Sequence, residues 1–74
     1  MAGMTTYEIR IRGRLSDTLL GLFEELRPEV HDVETVLVGH LPDQPALHGV
    51  LYRIQQYGLE LIEVRRLPER LEEL

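Results

Sequence analysis

The 74-residue sequence has no cysteine, no lysine and no tryptophan, and its aromatic residues are three tyrosines and one phenylalanine. Without cysteine there is neither a disulfide nor a thiolate metal site to brace the chain, and no thiol nucleophile. No apolar run approaches the ~20 residues of a membrane span, and no basic leader precedes an apolar core. The expectation is therefore a soluble, cytoplasmic protein without a membrane partner. Arginine is the sole basic residue type, and eight arginines against 13 acids leave a net charge of −5. That balance argues against a general nucleic-acid binder, which needs an excess of cations to neutralise phosphate. Arg10, Arg12 and Arg65 form a basic strip, but RNA-reading sheets also stack bases on strand aromatics. Here Tyr7 is the strand aromatic, and it falls on the apolar side.

A chain of this length hides only roughly 60% of its unfolded surface on folding. With no covalent staple, association with another subunit is the usual remedy. The charge is also uneven. Residues 1–14 hold Arg10, Arg12 and Arg14 against Glu8, whereas residues 15–34 hold six acids against Arg27, which implies complementary surfaces.

What is present reads as alternating strands and helices. Residues 1–5 are expected to be a disordered N-terminus, residues 6–67 a single α/β domain, and residues 68–74 an acidic tail with a frayed helical turn. From Thr6 to Leu15, Tyr7, Ile9 and Ile11 alternate with Glu8, Arg10 and Arg12, the period of a strand with one buried face, and Gly13 ends or bends it. Ser16 is a good N-cap with Asp17 in the first turn, and Leu15 and Leu20 are spaced for a hydrophobic staple. Leu19, Leu22, Phe23 and Leu26 supply an apolar stripe over about three turns, ended by Pro28. Glu29–Val33 reads as a loop or a short edge strand. Thr35–Val38 is apolar on both faces, which suits a central strand.

Asp43 or Gln44 caps a second helix that carries Pro45 in its first turn and Leu47, Val50, Leu51 and Ile54 along one stripe. Gly58 is a C-cap signal, and Gly49 inside the helix hints at a close backbone approach. Leu59–Leu67 is the last strand, with Ile62 and Val64 on one side and Leu61, Glu63 and Arg65 on the other. The expected fold is a two-layer α/β sandwich, ferredoxin-like β-α-β-β-α-β, with a three-stranded β-α-β-α-β sheet as the alternative.

Two helices on one side of the sheet leave the other side open. Glu8, Arg10, Arg12, Glu63, Arg65 and Leu61 fall there, joined by either Val36/Val38 or Thr35/Leu37. Arg10, Arg12, Leu61, Glu63 and Arg65 are accordingly the candidate interface of a homo-oligomer, expected to be a dimer. The competing site is a ligand pocket lined by His40, Asp43, His48 and Tyr52 around the strand–helix connection. Its spacing matches no metal-ligand signature, Asp43 also serves as a cap, and His48 falls beside the helix stripe. The only serine, Ser16, is accounted for as a cap, Gly13-Arg14-Leu15-Ser16 is not a nucleophile elbow, and Gly39 alone is not a phosphate cradle. No cofactor and no metal is expected. A non-catalytic interaction or regulatory domain is the leading reading. A small dimeric enzyme or ligand-binding protein, and a subunit of a larger complex, are the alternatives.

The segments Asp43-Gln44, Ala46-Leu47-His48-Gly49 and Gly58-Leu59, set between the strands Thr35–Leu41 and Gly58–Arg66, resemble small uncharacterised actinobacterial proteins. The likeness covers about half the chain. It departs at Pro45, in a short first helix without tryptophan, and in a cramped hairpin. It implies a compact α/β domain from a high-GC bacterium with His48-Gly49 at a recurrent helix position, and it carries no activity with it.

Overall fold

A computed structural model describes residues 5–68. It has four strands and two helical segments in the order β1 (Thr5–Arg12), α1 (Asp17–Leu20), a 3₁₀ turn (Gly21–Phe23), β2 (Arg27–Val30), β3 (Glu34–Leu41), α2 (Gln44–Gln56) and β4 (Leu61–Leu67). The strands form one antiparallel sheet in the order β2-β3-β1-β4, and the three-stranded alternative does not hold. The acidic tail lies outside the described residues except for Pro68. Of the expected N-terminal segment, residues 1–4 lie outside as well, while Thr5 is already the first residue of β1.

β1 forms where alternation predicts. Tyr7, Ile9 and Ile11 are buried on one side, where they meet Leu37 and Leu41 from β3, Phe23 and Leu26, and Leu47, Val50 and Ile54 of α2 in a single core. Both helical segments thus cover the same face of the sheet. The Tyr7 ring is interior, and its hydroxyl accepts a 2.9 Å hydrogen bond from Gln44 Nε2 at the start of α2. Such a partner is what a buried tyrosine requires.

Caps set the helix ends. The Ser16 hydroxyl accepts from Leu19 N–H at 3.3 Å, and the Asp43 carboxylate accepts from Ala46 N–H at 2.9 Å. Gly58, with φ +69°, follows α2. Its N–H donates to Gln55 O at 3.1 Å and Leu59 N–H donates to Ile54 O at 3.0 Å, the paired bonds of a Schellman closure.

Four local expectations give way to tertiary context. The first helix spans four residues and a 3₁₀ turn rather than about three turns, because the chain must reach the sheet edge at Arg27. The edge strand starts at Arg27 and includes Pro28, two residues before the expected stretch. Gly49 has open space where a Cβ would sit, so no close approach explains it. The close approach lies instead at Gly39, where a Cβ would stand 2.7 Å from Leu26 Cδ2 and 3.1 Å from the Glu25 carbonyl as that segment crosses β3. Finally, a register irregularity between Arg10 and Ile11 pairs Leu61 with Ile11 and Glu63 with Arg10. Simple alternation grouped Leu61 with Glu63 and Arg65; the irregularity takes it out of their phase.

Two long-range clasps hold the layers. Thr35 is fully buried in β3, and its hydroxyl donates to Gly13 O at 2.8 Å while accepting from Leu15 N–H at 3.1 Å. Gly13, with φ +95°, turns the chain out of β1, and its own N–H reaches Val33 O at 2.7 Å. One side chain thus serves two backbone groups that the end of the strand leaves unpaired. The second clasp is Arg53 of α2, which donates to the Leu22 carbonyl and the Glu25 carboxylate and lies over the Phe23 ring, 5.6 Å from its centroid.

Candidate functional site

The uncovered side of the sheet belongs to the alternate residues of the same strands. β1 places Thr6, Glu8, Arg10 and Arg12 there, and the register sets His40, Val38, Val36 and Glu34 of β3 directly opposite them. Of the two sets left open by the sequence, Val36/Val38 is on this face and Thr35/Leu37 is in the core. Val36 is nevertheless only 3% exposed. It is flanked in register by Arg10 and Glu29, and an arginine stem covers apolar surface while its head stays among polar groups.

Arg10 is the hub of this face. Its guanidinium meets Glu34 at 2.5 Å, Glu8 at 3.0 Å and, more loosely, Glu63 at 3.7 Å. Arg65 bridges Glu8 at 3.3 Å and Glu63 at 4.0 Å. Arg12 pairs with Glu60 at 3.0 Å. The Glu8 carboxylate, with 14% side-chain exposure, accepts from both Arg10 and Arg65. The imbalance between chain segments is thus met partly within the molecule: Glu34 comes to Arg10, and Asp32 comes to Arg14 at 3.4 Å.

The β4 end of the face is the least satisfied. Glu63 and Arg65 are about half exposed and joined by the longest bridges, and beside them Leu61 and Ile62 are 42% and 46% exposed. Of the predicted interface residues, Arg10, Arg12, Glu63 and Arg65 share the open face, whereas Leu61 stands at its margin beyond the register irregularity.

The four pocket candidates do not come together. His40 is on the open sheet face, where its Nδ1 lies 2.8 Å from the Thr6 hydroxyl. Asp43 is occupied as the cap of α2. His48 and Tyr52 stand one turn apart on the exposed side of α2, which packs on the opposite face of the sheet. No group of three or more His, Cys, Asp or Glu residues able to hold a metal ion occurs among the described residues.

Sequence reasoning missed Arg53 and Thr35. Arg53 sits between Val50 and Ile54, beside the buried stripe of α2, and hydrogen bonding from its guanidinium holds the Glu25 carboxyl below the usual carboxylate range. Its signal was the acidic excess of residues 15–34, which needed a cation from elsewhere in the chain. Thr35 was hidden as the polar member of an apolar run.

Sheet, helices and charged face together define a small two-layer α/β domain with one face of its sheet uncovered. Among the described residues no helix is long and apolar enough to cross a membrane. The chain belongs to the family described as a domain of unknown function, DUF8691, which it matches over residues 6–65. Comparison with curated proteins and with solved structures gives no match.

Proposed function

We propose that this domain is a non-catalytic interaction or regulatory module of the cytoplasm that assembles as a homodimer through the open side of its sheet. The observation that carries the reading is the β4 margin of that face, where the exposed Leu61 and Ile62 adjoin the half-exposed, loosely paired Glu63 and Arg65. A domain this small, with no disulfide, gains from covering such surface with a second copy. The plan is read as ferredoxin-like; the β-α-β-β-α-β order and the antiparallel arrangement β2-β3-β1-β4 support that reading.

Molar mass measured by light scattering across a concentration series tests the assembly. The expected result is a dimer that dissociates on dilution; a constant monomer mass up to millimolar protein refutes it. Charge reversal at Arg12, on the open face, tests the face itself. Arg12→Glu is expected to weaken assembly, and an unchanged dimer removes the face from the reading.

A further inference from the structure

The sheet has two outer edges, and the register allows their backbone groups to be assigned. Arg12 N–H donates to the Glu60 carbonyl at 2.9 Å, so the even-numbered residues of β1 turn their backbone groups toward β4. Their partners Glu63 and Arg65 face back toward β1, which leaves the N–H and C=O of Val64 and Arg66 pointing outward. At the other edge, Gly13 N–H donates to Val33 O at 2.7 Å, which sets the odd-numbered residues of β1 toward β3. The same alternation carried across β3 makes Pro28 and Val30 the outward positions of β2. Pro28 has no N–H to offer, and β2 has only four residues, so that edge is closed to pairing. β4 has seven residues, no proline and no strand partner on its outer side among the described residues.

β4 is also self-complementary. When two copies of Leu61-Ile62-Glu63-Val64-Arg65-Arg66-Leu67 are laid antiparallel about Val64, Glu63 falls opposite Arg65 of the second copy and Arg65 opposite its Glu63. Val64 then pairs with itself through its outward backbone groups, and Arg66 falls opposite Ile62. Centring on Glu63 or Arg65 instead sets that residue opposite its own copy and so opposes like charges at the axis. The charges therefore select the register, and the outward backbone groups of Val64 serve it.

We propose that two copies of this chain join β4 to β4, antiparallel about Val64, into one continuous sheet. This rests on the reading that the chain forms a homodimer, and it puts the joint at the β4 edge of the open face rather than across the face itself. The Glu63–Arg65 contacts of the two copies extend the ion-pair network of the open face across that axis, and Ile62 is covered at each end of the joint. An edge this short buries less than the roughly 1,200 Å² of a standard stable interface, so the dimer dissociates in the micromolar range.

Sedimentation of the full chain with paired charge swaps tests the proposal. E63R and R65E each oppose like charges at two symmetric contacts and are expected to weaken self-association roughly tenfold, about 1.4 kcal/mol. An equimolar mixture of the two is expected to form a heterodimer. The double variant E63R/R65E is expected to recover wild-type affinity; since it carries the wild-type net charge, its recovery cannot come from overall charge. Amide exchange on the wild-type chain gives a second readout that needs no variant to fold: Val64 and Arg66 amides gain protection as the dimer forms. A dimer in which those two amides exchange freely, or one indifferent to both single swaps, overturns the edge joint alone. A wild-type chain that stays monomeric at every concentration overturns the homodimer reading as well.

Discussion

Replacing Thr35 with valine keeps the shape of a fully buried side chain and removes only its hydroxyl. Two hydrogen bonds disappear: the one donated to Gly13 O at 2.8 Å and the one accepted from Leu15 N–H at 3.1 Å. The Leu15 amide is interior, and leaving such a donor unpaired costs about 1–3 kcal/mol. The Gly13 carbonyl is partly open to water, so its loss is nearer 0.5–1 kcal/mol, about what the added methyl returns by burial. The net expectation is a destabilisation of about 1–3 kcal/mol. Against the roughly 4–11 kcal/mol expected for 74 residues, this is a large fraction. In thermal unfolding followed by far-ultraviolet circular dichroism, a loss of about 2 kcal/mol lowers Tm by roughly 8–16 °C. Protein concentration must be held constant, because dimerisation raises apparent stability. Thr35→Ser keeps the hydroxyl and loses one methyl group, at a cost of about 1 kcal/mol. Valine at or above wild-type stability, or no faster exchange of the Leu15 amide in the valine variant, refutes the clasp.

Two glycines give predictions of opposite sign. Gly39→Ala drives a methyl into the Leu26 side chain and the Glu25 carbonyl, so urea unfolding should show about 1–3 kcal/mol of destabilisation. Gly49→Ala fills open space in the interior of α2 and should stabilise by about 0.5–1 kcal/mol in the same assay, with a loss refuting the assigned geometry. The Glu25–Arg53 pair predicts a pH dependence. The Glu25 carboxyl is held below its ordinary range in the folded chain, chiefly by hydrogen bonding from Arg53, so the pair's stabilisation is present above the unfolded-state value. That stabilisation fades as pH falls through the depressed folded value. The stability difference between wild type and Glu25→Gln should therefore be present at neutral pH, at most about 1 kcal/mol for so exposed a pair, and close in acid. A difference that persists or widens in acid contradicts this.

The parts of the molecule legible in the amino-acid order are those set by neighbours within a few positions. Alternation in Tyr7, Ile9 and Ile11 marked the core face of β1. Ser16, Asp43 with Pro45, and Gly58 marked helix ends, since each acts on backbone groups two to five residues away. The apolar run at Thr35–Val38 marked a central strand, and the open face followed from the residues left over. Tertiary structure decided everything that joins distant positions. Whether a glycine sits under a crossing segment depends on where Leu26 passes, so the close approach belongs to Gly39 and not to Gly49. The register irregularity opposite Arg10 and Ile11 re-phases Leu61 without any proline or glycine inside β4 to announce it. Thr35 and Arg53 clasp groups 20 to 31 residues away, a partnership that no local pattern encodes. Periodicity and capping are short-range hydrogen-bond geometry and are written in adjacent residues. Register, crossing and clasping depend on which segments meet, and the chain decides that only once its core has closed.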